Sequence, residues 1–316
     1  MAKRKKTKDV GRAVDMWVMP GMHSSNIEFM QKLKTADTQH FTKNMDTVGT
    51  VSERNEEGKK EKTHLIGIRT DIWKPDDEDV AETLEHLKEN RRDELRREIK
   101  RSGRLNAKQK IKLQSAVEDD KIMKMCCEDI EHRRLVLKLF KTSTGRTNWV
   151  GTLEQITTQE IYTSMGSGRN LITLAAILPR YDFVTYIQQN HRTWRVPAVF
   201  SFGFHHDGRM WHLLLRRRWM SLGADFDIVA DGKPIGFING LLLAMGSDSR
   251  ISMDDHPLSQ CTAFLNLLTL FACSIGYHRS MRRSVGQRVK ACREGNWHRH
   301  VIDDDELRLR QNGRAA

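Results

Sequence analysis

Seventeen consecutive residues, Cys261 to Tyr277, carry no charge, and most are large and apolar: Phe264, Leu265, Leu267, Leu268, Leu270, Phe271, Ile275. As a helix they put hydrocarbon on every face, so the segment must either cross a bilayer or be enclosed by protein on all sides. Its length sits at the lower limit for a span. Thr262, Asn266, Thr269 and Ser274 would also leave hydroxyl and amide groups facing lipid. Enclosure by protein is therefore expected, with a single span as the competing reading. Enclosure sets a condition on the rest of the chain, which must supply an apolar sheath.

The 60 residues upstream have the pattern for one. Val199-Phe200-Ser201-Phe202-Gly203-Phe204 alternates large apolar with small residues, as a half-buried strand does. His206-Asp207-Gly208-Arg209 supplies an Asp-Gly turn, and Met210 to Leu215 is the return strand. Phe226 to Val229, the second pair Asp231-Gly232, and Pro234 to Ile238 repeat the unit. Leu241 to Met245, a turn at Gly246 to Ser249, and Ile251 to Asp254 complete about six short strands, the spacing of an antiparallel barrel or sandwich.

Within that stretch, Ser221-Leu222-Gly223-Ala224-Asp225-Phe226-Asp227-Ile228, then Asp231-Gly232-Lys233-Pro234-Ile235, then Gly240-Leu241-Leu242-Leu243 and Gly246, resembles the cadence of tubby C-terminal-like domains, in particular the LURP-one-related branch. The resemblance covers roughly residues 216–283. It implies a closed antiparallel barrel wrapped around one apolar helix near the C-terminus, and so an α+β fold. Some members of the wider superfamily bind phosphoinositides through cationic side chains, and others move lipids. On that pattern Arg216, Arg217, Arg218 and Lys233 are the anion-binding candidates, since guanidinium and ammonium groups suit phosphate oxygens. The competing reading is an exposed strand edge kept from self-pairing by charge.

The first half is more polar. Residues 1–75 show no sustained periodicity and are expected to be a largely disordered basic arm. Their two apolar bursts, Met16 to Met22 and Leu65 to Trp73, read as docking motifs or as short strands pairing with the main domain. Between them Ser52 to Lys62 is almost wholly polar. Residues 76–135 carry helical spacing (Val80, Leu84, Leu87, Leu95, Ile99) with dense charge and are expected to be a charged helical region. The β-rich domain is expected over 136–290, with its buried helix at 261–277 and a mobile tail over 291–316. Inside it, Val136 to Phe140 reads as helix or strand, as do Thr152 to Tyr162 and Leu171 to Gln189.

The net charge is +12, from 53 Lys and Arg against 41 Asp and Glu, which favours acidic partners: anionic lipid, an acidic protein or nucleic acid. For nucleic acid the candidates are Arg91, Arg92, Arg96, Arg97 and Arg101 on the helical region, against a plain solvated helix. Lys3 to Lys6 form a basic patch with no apolar segment behind it, so no signal peptide is read there. The five cysteines include no C-x-x-C pair and suit a reducing compartment. An intracellular protein is expected, cytoplasmic, or nuclear in a eukaryotic host.

No catalytic signature is present. Gly166-Ser167-Gly168 has neither the Lys of a P-loop nor a third glycine, and there is no G-x-S-x-G or H-E-x-x-H. His205-His206-Asp207, His298-Arg299-His300 and Asp303 to Glu306 match no metal-ligand spacing, and no metal or cofactor is expected. The expectation is a non-enzymatic binding or scaffold protein, with nucleic-acid association as the alternative.

Overall fold

A computed structural model describes residues 10–16, 45–54, 59–69, 73, 106–120, 134–143, 146–191, 198–219, 224–241 and 248–295, with scattered positions from 85 to 101. Twelve strands are described: β1 (Val10–Met16), β2 (Met45–Arg54), β3 (Lys60–Arg69), β4 (Val136–Ser143), β5 (Arg146–Gln155), β6 (Thr173–Ile177), β7 (Thr185–Gln189), β8 (Val199–His206), β9 (Arg209–Arg217), β10 (Phe226–Ala230), β11 (Lys233–Leu241) and β12 (Asp248–Met253). Each pairs antiparallel with its sequence neighbours, and β12 returns to β1, closing a barrel. Four helices accompany them: α1 (Ala107–Glu118), α2 (Thr157–Ser167), α3 (Thr262–Ser274) and α4 (His278–Arg293).

The expected hairpins form at their Asp-Gly pairs. Asp207 and Gly208 have φ of 50° and 72°, and Asp231 and Gly232 have 46° and 81°. Two successive positive φ values are what a tight hairpin turn needs, because they match the twist of the flanking strands. Phe200, Phe202 and Phe204 of β8 and Leu213 and Leu215 of β9 point inward, while Gly203 is exposed between them.

α3 supplies the other half of the same core. Phe264, Leu267, Leu268, Leu270, Phe271 and Cys273 are fully buried and cluster with the inward side chains of the strands. Phe264 meets Phe204 edge-on with ring centroids 5.2 Å apart, and Phe271 meets Phe200 at 5.1 Å. Each such side chain contributes about 1.5–3 kcal/mol when fully buried, which explains a helix without a polar face. The polar residues of α3 find partners: Arg12 Nη1 donates to Asn266 Oδ1 (2.8 Å) and Thr269 Oγ1 (3.1 Å), and Asn266 Nδ2 donates to the Val150 carbonyl. Among the described residues no helix is long and apolar enough to cross a membrane.

Several boundaries differ from the sequence reading. The barrel begins at β1, not at residue 136. Three strands come from the segment expected to be a disordered arm, and the polar run Ser52 to Lys62 includes the facing ends of β2 and β3, where Ser52 pairs with Lys62 and Arg54 with Lys60. A solvent-facing hairpin end needs no apolar residues, so composition concealed it. The expected helix over 261–277 ends at Ser274, passes through a 3₁₀ turn (Ile275–Tyr277), and is followed by α4. The expected 291–316 tail therefore starts no earlier than the end of α4, and residues 296–316 lie outside the described residues. The ambiguous stretches resolve as strands β4, β6 and β7, and as the end of β5 followed by α2.

Candidate functional site

One end of the barrel, the mouth, is where β5, β7 and β9 finish and β6, β8 and β10 begin. α3 runs toward it, since Phe264 packs on Phe204 while Phe271 packs on Phe200 and Phe226 nearer the strand ends. α4 then crosses beside α2. Met281, Val285 and Val289 bury one side of α4. Asn170 Nδ2 donates to the Arg282 carbonyl at 3.2 Å, and a Cβ on Gly286 would lie 2.5 Å from that same amide, so a larger residue there would displace the Asn170 side chain. Buried Arg288 stands 3.9 Å from buried Glu160, which also accepts from Thr173 N and Gln155 Nε2.

This frame holds a cavity of about 400 Å³ lined by Asn170, Ile172, Gln189, Ala198, Phe200, Arg217, His278, Arg279, Arg282 and Arg283. Ile172, Ala198 and Phe200 form an apolar wall, and four arginines supply the charge. Among the described residues no carboxylate lines it. None of the four guanidinium groups has an ion-pair partner among the described residues. His278 packs its ring on Phe200 at 5.3 Å, and its Nε2 is buried with no hydrogen-bond partner among the described residues. Burial first, then the positive fields of Arg217 and Arg282, push its pKa down to about 3, so the ring is neutral at pH 7.

Of the four anion-binding candidates the mouth collects only Arg217. It continues the inward register of Leu213 and Leu215, but at the strand's end, where the side chain reaches solvent. Arg216 faces the opposite way and is exposed. Arg218 is committed to Asp227, donating from Nε at 3.0 Å and Nη2 at 2.7 Å. Lys233 begins β11 at the far end of the barrel: it pairs with Ala230, which pairs with Leu213, four residues from Arg217. The separation along the strands is about 13 Å. The sequence reading did not pick out Arg279, Arg282 and Arg283, which lie near the end of its 136–290 domain. Their three- and four-residue spacing, which puts them on one helical face, was the signal available.

The nucleic-acid candidates divide as well. Arg92 Nη2 bonds Asp120 Oδ1 at 2.7 Å, and Arg96 grips Glu118 from Nε and Nη2 at 2.9 and 2.7 Å. Arg97 and Arg101 are exposed with no ion pair among the described residues, and Arg91 lies outside them. Of the histidine and acid clusters, His205 and His206 lie at the β8–β9 turn, while His298, His300 and Asp303 to Glu306 fall outside the described residues. Among the described residues no three His, Cys, Asp or Glu side chains converge as for a metal ion.

No protein-family model matches the chain, and no curated protein or solved structure matches it.

Proposed function

We propose that this protein is a non-enzymatic binding protein, a tubby-like barrel whose cationic mouth takes the phosphate-bearing head of an anionic lipid. The observation that carries the reading is the convergence of Arg217 with Arg279, Arg282 and Arg283 around one cavity that no carboxylate lines among the described residues. Unpaired guanidinium groups in a concave wall raise the local positive potential and bind phosphate oxygens in bidentate fashion. The apolar wall of Ile172, Ala198 and Phe200 suits the hydrocarbon side of such a ligand. The closed twelve-strand barrel with α3 in its core supports the tubby-like part of the reading.

Exposed aromatics favour a lipid surface over an acidic protein. Trp219, 70% exposed, follows directly on β9 at the mouth, and Tyr162, 82% exposed, lies on α2 at the same end. Trp and Tyr side chains settle at the headgroup level of bilayers. A catalytic role finds no support in the cavity's chemistry. Among the described residues that line it the one titratable group besides arginine is His278, and a ring with a pKa of about 3 is a weak base at neutral pH.

Flotation of the full chain with phosphatidylcholine vesicles, with and without phosphatidylinositol phosphate, tests the reading. The wild type should float only with the phosphorylated lipid, and less as salt rises. Arg217→Gln, Arg282→Gln and Arg283→Gln should each weaken binding about tenfold, as removal of one charge-assisted hydrogen bond does. Equal flotation of wild type and the triple variant overturns the proposal.

A further inference from the structure

Between β3 and β4 the chain forms a helical pair. Every described position from 85 to 101 is helical, and α1 follows. Three cations on one row of the first helix, at four-residue spacing, meet acids at the end of the second. Lys88 reaches Asp120 at 3.2 Å, Arg92 reaches Asp120 at 2.7 Å, and Arg96 reaches Glu118 at 2.7 Å. Ile99 and Val117 are buried beside them. These contacts make the helices antiparallel.

The same row continues to Lys100, but there the neutralisation stops. From Ile99 to Val117 the sequence holds six cations and no carboxylate. Arg97, Lys100, Arg101, Lys108 and Lys112 are exposed, Lys110 is half-exposed, and none has an ion pair among the described residues. Lys108 and Lys110 sit in the first turns of α1, where the helix dipole repels cations, so they do not serve the helix's own stability. The helix starts instead on a reciprocal cap: Asn106 Oδ1 accepts from Gln109 N, and Gln109 Oε1 accepts from Asn106 N. The pair thus has a neutral base and a positive outer end.

We infer that this outer end is a phosphate-backbone contact surface for nucleic acid. Lys108 and Lys112, four residues apart on α1, stand about 6 Å apart along the helix, and Arg97, Lys100 and Arg101 share one face of the first helix. Duplex DNA presents one phosphate per about 1.7 Å of its axis, so cations at this spacing meet several at once. A bilayer is the poorer fit. The exposed aliphatics of α1, Ile111 at 68% and Leu113 at 41%, stand two residues apart and so on different faces, leaving no apolar stripe to insert. These residues are different from those lining the barrel mouth, although β3 ends and β4 begins at that same end of the barrel.

The test is fluorescence anisotropy of the full chain with a labelled mixed-sequence DNA duplex across a salt series. Two variants are compared: a tip variant (Lys100→Gln, Arg101→Gln, Lys108→Gln, Lys112→Gln) and a mouth variant (Arg217→Gln, Arg282→Gln, Arg283→Gln). Glutamine keeps helix propensity close to that of lysine and arginine, and circular dichroism checks that the pair remains folded. The tip variant should weaken duplex binding at least about a hundredfold and flatten the slope of log affinity on log salt by roughly 0.9 for each phosphate no longer neutralised. The mouth variant should stay within about twofold of wild type, a difference below 0.5 kcal/mol. An unchanged slope in the tip variant, loss of duplex binding in the mouth variant alone, or an effect of the tip changes only on anionic vesicles overturns the inference.

Discussion

His64 on β3 and His278 at the start of α4 are both held neutral, each with its pKa lowered to about 3. Burial is the main cause in both. Arg12 and Lys141 add to it at His64, and Arg217 and Arg282 add to it at His278. A histidine whose folded pKa lies below its unfolded value near 6.5 takes up a proton on unfolding. The stability it permits is therefore whole above about pH 6.5 and is lost as pH falls toward 3. Each ring should contribute a slope of about 1.4 kcal/mol per pH unit across that window. Urea unfolding at pH 7 and pH 5 should show a larger loss for the wild type than for a His64→Leu, His278→Leu double variant; equal losses would mean the rings titrate normally. Arg12 is the other residue whose role is invisible in its own neighbourhood. It lies on the first strand yet donates to Asn266 and Thr269, 254 and 257 residues away.

At the scale of elements, the seat of α3 depends on small residues in the strands it touches. A Cβ on Gly151 of β5 would come within 2.9 Å of Leu270 Cδ1 and 3.0 Å of Leu178 Cδ2. Gly151→Val should therefore push the helix from the wall and cost about 1–3 kcal/mol, seen as a fall in Tm; an unchanged melt would show that the helix has room to shift. The strands from β8 to β12 were legible in the sequence because of their alternation and the two Asp-Gly turns that join β8 to β9 and β10 to β11, while the strand read over Leu241 to Met245 lies, apart from Leu241, outside the described residues. β1 to β3 were not. Arg12, Glu53, His64 and the lysines of β3 are compatible with a solvated arm, and they become strand residues only through pairing with β12 and β4. α4 was missed because its dense charge masked the helical stripe of Met281, Val285 and Val289.

For the whole molecule, closure is the organising fact. β1 joins β12, and β3 joins β4 across the 66 positions between Arg69 and Val136. A fragment of residues 136–316 would leave β12 and β4 as open edges and uncover one side of α3, which meets β1 directly. That fragment should aggregate or melt without cooperativity, whereas residues 1–295 should melt cooperatively; a stable, monomeric 136–316 by size-exclusion chromatography would mean that closure through β1 to β3 is dispensable.

By itself the sequence determined that an uncharged helix needed either a bilayer or a sheath of protein, and that short strands with Asp-Gly turns stood ready beside it. Those are local matters of period and turn chemistry, written within a dozen residues at a time. Only the tertiary structure decided that the N-terminal segment supplies three of the enclosing strands, and that Arg217 meets Arg279, Arg282 and Arg283 at one mouth. It also decided that Arg92 and Arg96 are spent on Asp120 and Glu118. The physical reason is shared. An exposed-looking cation is equally compatible with solvent, an ion pair or a binding wall, and the choice is made by partners too distant in the chain for any local pattern to record.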